Sequence, residues 1–106
     1  MSKEQFSFSQ NNGKVSVVLS TAKFDAQAAE TFNEVVREQW RADIHSVTID
    51  MKAVEFIDSS GIGALLALRK RLPADSADVT LVNPQSGITN VLEMLRLHRV
   101  FRLEEV

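Results

Sequence analysis

Ser46-Val47-Thr48-Ile49-Asp50-Met51 and, a short connection later, Phe56-Ile57-Asp58-Ser59-Ser60-Gly61-Ile62-Gly63-Ala64-Leu65-Leu66 set the architecture of this chain. In the first run Val47, Ile49 and Met51 alternate with polar positions, the pattern of a strand with one apolar face. Beyond Asp58-Ser59-Ser60-Gly61 the apolar residues change period. Ile62, Leu65, Leu66 and Leu72, with Arg69 among them, recur at helical spacing, and Pro73 marks the exit. A strand that feeds a helix through a short loop is the unit from which parallel crossovers are built.

The same alternation extends in both directions. Upstream, Phe6 and Phe8 alternate with polar residues, Asn11-Asn12-Gly13 signals a hairpin turn, and Lys14 to Ser20 carries Val15, Val17 and Leu19 on one face. Asp25 is placed to cap a helix whose stripe is Ala28, Ala29, Phe32, Val35, Val36 and Trp40, with Glu30, Asn33, Glu34, Arg37 and Glu38 opposite. Downstream, Val79 to Val82 reads as a short buried strand. Asn83 and Pro84 read as cap and first turn of a helix faced by Ile88, Val91, Leu92 and Leu95. Val100-Phe101-Arg102-Leu103 reads as a last strand. The order β-β-α-β-α-β-α-β predicts an α/β fold: a mixed sheet with a parallel centre and helices packed on it.

Composition limits what such a domain does. With 106 residues the chain is one domain, 1–106, and 44% hydrophobic with 25% charged residues supports a folded core. A formal net charge of −2 gives no electrostatic reason to hold nucleic acid or an anionic membrane. There is no cysteine, so disulfides, thiolate–zinc sites and thiol chemistry are excluded. The polar start Met1-Ser2-Lys3-Glu4-Gln5 does not resemble a signal peptide, and no apolar run is long enough to span a bilayer. A cytoplasmic location is the expectation.

Asp58-Ser59-Ser60-Gly61-Ile62-Gly63 carries the functional signal. The first amides of a helix lack internal partners and, with the macrodipole, favour an anion. A serine there can accept a phosphoryl group, adding about −1.5 to −2 charges at pH 7. Beside Asp58, a partner surface that accepted a neutral hydroxyl would meet a dianion. Gly61 and Gly63 add no bulk to an approaching backbone. A serine at a helix start commonly serves only as a cap, and these residues by themselves leave that reading open. The glycines match neither a dinucleotide fingerprint nor a P-loop, and there is no Gly-x-Ser-x-Gly elbow.

Val47-Thr48-Ile49-Asp50 with Phe56 to Leu66 resembles the signature of the STAS family of anti-sigma factor antagonists. Asp25 with Ala29-Glu30 resembles that family's entry to the first helix, and Asn83-Pro84 its corner before the third. The resemblance implies a single STAS domain that binds an anti-sigma factor/serine kinase of GHKL type and frees a sigma factor. It implies phosphorylation at Ser59 as the off signal, reversal by a PP2C-type phosphatase, and a partner-binding surface of Asp25, Asp58, Ser59, Ser60, Gly61, Ile62 and Gly63. No catalytic constellation is present, so no enzymatic activity and no cofactor are expected, and a monomer is the expected state. The chain departs from the family where Thr21-Ala22-Lys23-Phe24 replaces a glycine often found before the first helix, which predicts a different corner there. The alternative within the same family is a STAS subunit of another assembly, such as a lipid-transport ATPase or a stressosome-like scaffold.

Other residues yield structural readings. His45 and His98 lack spaced partners for a metal. Arg96, His98 and Arg99 suit the negative end of the last helix. Asp50, Glu55 and Asp58 come without a positioned nucleophile for acid–base work. Trp40 continues the core stripe of its helix, which favours packing over a ligand platform.

Overall fold

Asn12 and Gly13 both sit at positive φ, 53° and 80°, the pair of left-handed residues that a type I′ hairpin loop requires. They join β1 (Phe6–Asn11) to β2 (Lys14–Leu19), antiparallel and in unbroken register from Phe6 opposite Leu19 to Asn11 opposite Lys14. The computed structural model describes residues 3–76 and 78–106. After the hairpin come β3 (Lys23–Phe24), α1 (Ala26–Gln39), β4 (Ser46–Asp50), β5 (Phe56–Ile57), α2 (Ser59–Lys70), β6 (Asp78–Val82), α3 (Ser86–Met94) and β7 (Arg102–Glu104). The main sheet has the order β1-β2-β4-β6-β7, with parallel pairing everywhere except β1–β2. This is the mixed α/β sheet that the alternation predicts.

One face of that sheet is covered. Val15, Val17, Leu19, Val47, Ile49, Val79 and Leu81 are buried in a single cluster with residues of all three helices, among them Phe32, Leu65, Leu68, Ile88 and Leu92. Ser16 and Thr48, on the opposite face, are exposed. Central parallel strands covered on both faces read as near-continuous apolar runs; here the strands alternate because only one face carries helices. Thr80 is the exception, buried on the uncovered face between its neighbours in β4 and β7.

Three phenylalanines join β1, β3 and α1. Phe24 and Phe32 meet edge-to-face at 5.4 Å and 88°, and Phe6 meets Phe32 at 5.9 Å and 77°. Such pairs add to the apolar burial of their rings. The start of the chain is strapped to α1 by Lys3, whose Nζ donates to both Glu38 carboxylate oxygens at 2.8 and 3.0 Å. That hydrogen bond pushes the Lys3 ammonium above its ordinary pKa. Met1 and Ser2, the first residues of the polar start, lie outside the described residues.

Several boundaries differ from the sequence reading. Asn83 does not cap α3. It adopts φ 55°, its Oδ1 accepts from the Val106 amide at 2.8 Å, and the helix begins at Ser86 after Gln85. Asn tolerates the left-handed conformation, and here it turns the chain before the helix starts. Leu95 does not join α3's buried stripe, because the helix ends at Met94 and Arg96 turns the chain at φ 60°, leaving Leu95 54% exposed. The connection after Pro73 contains a short 3-10 turn at Ala74–Ser76, and Ala77 lies outside the described residues. Trp40 is partly buried against the core, with the Arg71 guanidinium 5.9 Å from its ring centre, in line with the packing reading. Among the described residues no helix is long and apolar enough to cross a membrane.

Phe32→Ala removes the ring shared by both edge-to-face pairs. It should cost about 3–5 kcal/mol of stability, measured as a lowered midpoint of urea unfolding with the slope unchanged.

Candidate functional site

Two corners of the same design stand side by side. β3 and β5 pair in parallel, Lys23 with Phe56 and Phe24 with Ile57. In each case the next residue is an aspartate that caps a helix. Asp25 accepts from the Ala28 amide at 3.1 Å and Asp58 from the Gly61 amide at 3.0 Å. Both caps have extended backbones, φ −99° and ψ −168° for Asp25, φ −114° and ψ −174° for Asp58. The Glu55 and Phe56 amides both donate to the Ala22 carbonyl, at 2.7 and 3.0 Å, and tie the corners together. The register thus brings Asp25 to the surface that carries Asp58 and Ser59.

The capping assignment leaves the serine without a structural hydrogen bond. Asp58, not Ser59, is the N-cap of α2. Ser59 is the first helical residue, it is exposed, and its hydroxyl has no hydrogen-bond partner among the described residues. Asp58 takes the Gly61 amide and the Asp58 carbonyl takes the Ile62 amide at 3.0 Å. That leaves the Ser59 and Ser60 amides as orphan donors at the positive end of the helix. The α2 first turn carries no acidic side chain of its own. A free hydroxyl beside two unpaired amides is a place where an added anion finds donors.

The remaining motif residues divide into inner and outer sets. Ser60 and Gly63 are exposed and Ile62 is half-buried. Gly61 is buried: a Cβ built there would lie 2.2 Å from the Phe24 carbonyl oxygen. Its bare backbone therefore serves a close contact within the chain. Nothing lies within 4 Å of a Cβ built on Gly63, which faces open space. The α2 stripe is offset from the sequence reading as well. Gly61, Ala64, Leu65 and Leu68 are its buried residues, while Ile62 and Leu66 are only partly covered. They are displaced because the Gly61–Phe24 approach sets the rotation of the helix.

Sequence reasoning missed three contributors. The two-residue pair β3–β5 is too short to show a period. The Ala22 carbonyl, which receives two amides, has no side-chain signature. Phe56 is 49% exposed beside the serine loop; its alternation with buried Ile57 was the available signal. The Thr21-to-Phe24 corner uses no positive-φ residue. It is held by the buried Thr21 hydroxyl, which donates to the Lys23 carbonyl at 3.2 Å.

The family model described as the STAS domain matches residues 9–106. Among solved structures, a candidate anti-sigma factor antagonist of Thermotoga maritima superposes with a TM-score of 0.78 at 20% identity, covering 98% of this chain and 89% of that one. The Bacillus anti-sigma factor antagonist SpoIIAA matches in its unphosphorylated form with a TM-score of 0.76 at 20% identity, covering 92% of this chain and 86% of that one. Its phosphorylated form matches with a TM-score of 0.70 at the same identity, covering 92% and 89%. At that identity the likeness is one of fold. Among curated proteins, Probable sulfate transporter 3.4 of Arabidopsis thaliana is 34% identical over 65 residues, 61% of this chain. The chain spans 10% of that relative's length.

The inner and outer glycines should respond oppositely to one methyl. Gly61→Ala should destabilise by about 1–3 kcal/mol through overpacking, whereas Gly63→Ala should stabilise by roughly 0.5–1 kcal/mol through helix propensity. Asp58→Ala should cost about 1 kcal/mol as a lost cap while Ser59→Ala leaves stability unchanged. Denaturant titration of the four variants reads all of these effects.

Proposed function

Because the chain belongs to the STAS domain family, we propose that it acts as an anti-sigma factor antagonist in a partner-switching circuit, with the N-terminal end of α2 as its docking face. The observation that carries this reading is the exposed Ser59 hydroxyl, relieved of capping by Asp58 and flanked by two amides without helical partners. The likeness in fold to anti-sigma factor antagonists supports it.

In the unmodified state the docking face offers a small neutral hydroxyl, bare backbone at Gly63 and the half-buried Ile62. The partner is an anti-sigma factor of GHKL kinase fold, and its capture frees the sigma factor. When the kinase acts, the Ser59 oxygen takes the γ-phosphoryl group of ATP, releasing ADP and a proton. The helix amides accommodate part of the new charge. The partner surface instead faces a dianion that has to be desolvated without a counter-charge, a cost that ordinarily weakens interfaces strongly. Hydrolysis by a PP2C-type phosphatase restores the serine. Asp58 keeps the helix start intact in both states.

A second reading has its own support. The match to a segment of a plant sulfate transporter favours a STAS module that works as one part of a transport assembly, in which the same α2 end docks on a neighbouring component. Affinity purification separates the two: a kinase-fold partner supports sigma control, and a transporter subunit supports the second reading.

The direct test is binding to a purified GHKL-type anti-sigma factor from the same cell. Ser59→Ala should bind within a few-fold of the parent and take no phosphate by mass spectrometry. Ser59→Asp should weaken binding by about 30-fold or more, equivalent to roughly 2 kcal/mol. Undiminished binding by Ser59→Asp would remove the charge mechanism. Gly63→Ala, stable on its own, should lose affinity if the partner backbone packs at that point.

A further inference from the structure

The main sheet ends in two edges of different character. The β7 edge is three residues long and carries Arg102 and Glu104, the charged, short design that keeps edges from pairing. The β1 edge is six residues, Phe-Ser-Phe-Ser-Gln-Asn, with no charge and no proline. Its register against β2 runs without a bulge.

The direction of its free groups follows from the hairpin. A two-residue loop makes Asn11 and Lys14 a hydrogen-bonded pair, and such pairs recur at every second residue. The Ser20 amide donating to the Gln5 carbonyl at 2.8 Å fits that alternation. Ser7, Ser9 and Asn11 therefore bond inward to β2. The backbone N–H and C=O groups of Phe6, Phe8 and Gln10 point out of the sheet, and none has a partner among the described residues. Beside them an open cleft of about 450 Å³, lined by Phe8, Gln10, Glu38, Gln39, Trp40 and Arg41, separates the strand from the end of α1. The helix end does not seal the edge, and Phe8 stays half-buried.

We propose that β1 is a self-pairing edge, which takes the β1 strand of a second copy of this chain in antiparallel register about a twofold axis at Phe8. An antiparallel twofold pair is self-complementary by construction. With Phe8 opposite Phe8, Phe6 stands opposite Gln10 and Gln10 opposite Phe6, so each outward donor meets an outward acceptor. No like charges meet on the strand. The two half-buried Phe8 rings gain each other as neighbours on the helix side. The contact places the α2 serine corner outside the pairing strand, so it does not depend on the function proposed above. A six-residue edge falls short of the roughly 800 Å² per partner of a stable dimer. The association is correspondingly weak, with a dissociation constant on the order of 100 μM.

Sedimentation equilibrium of the whole chain from about 5 μM to about 1 mM spans that constant and should show a monomer–dimer equilibrium. Amide exchange read by NMR should slow with concentration at Phe6, Phe8 and Gln10 and nowhere else in β1. Two variants attack the edge without touching the core. Ser7→Lys with Ser9→Lys sets ammonium groups across the twofold pair on the uncovered face, and Gln10→Pro removes one outward donor. Each should weaken association at least 10-fold with the fold intact by circular dichroism. A chain that stays monomeric to the highest concentration overturns the proposal, and so does a dimer that both variants leave unchanged. Protection of the same three amides only when an extended peptide of another protein is added would reassign the edge to that partner and equally overturn self-pairing.

Discussion

The fold and the candidate site share one steric constraint: α2 passes so close to β3 that position 61 has room for a hydrogen and nothing more. That approach fixes the rotation of α2, turning Ala64, Leu65 and Leu68 into the core and Ile62, Gly63 and the serine pair outward. It also holds the two aspartate-capped corners together, because Phe24, whose carbonyl oxygen faces Gly61, is paired with Ile57 just before Asp58. A side chain at position 61 would disturb the rotation of the helix, the strand pairing and the display of Ser59 together.

Much of this is legible in the residues. Period-two alternation in β1, β2 and β4 and the Asn12-Gly13 turn define the strands, because one face of the sheet is left to solvent and the alternation is clean. The Asp25 cap is read correctly for the same reason that any short acceptor before an apolar helix is. The site is less transparent. The sequence leaves open which residue of Asp58-Ser59-Ser60 caps the helix, since each carries a suitable oxygen, and the strand pairing settles it by ending β5 at Ile57. Gly61 and Gly63 look alike on the page and have opposite environments, because the difference comes from Phe24, distant in sequence. At Asn83 a residue type suited to capping is used for a left-handed turn, and only the partner amide at Val106 distinguishes the two uses.

The packing also explains how a small domain presents an exposed helix start without losing stability. The Phe6–Phe24–Phe32 cluster anchors β3 from beneath, so the two-residue β3–β5 pair, marginal by itself, is held by the core. The amides of Glu55 and Phe56 close the connection on the Ala22 carbonyl. What remains exposed at the corner is a hydroxyl, a bare helical backbone position at Gly63 and an aromatic ring at Phe56, all mounted on a buried frame.

The division of labour between Asp58 and Ser59 has an evolutionary side. Since the aspartate alone secures the start of the helix, the residue after it is nearly free of structural duty. A single codon change there can replace the hydroxyl by another group while the domain still matures and accumulates normally. Lineages carrying this scaffold are therefore able to vary the group displayed at that spot without compensating changes elsewhere.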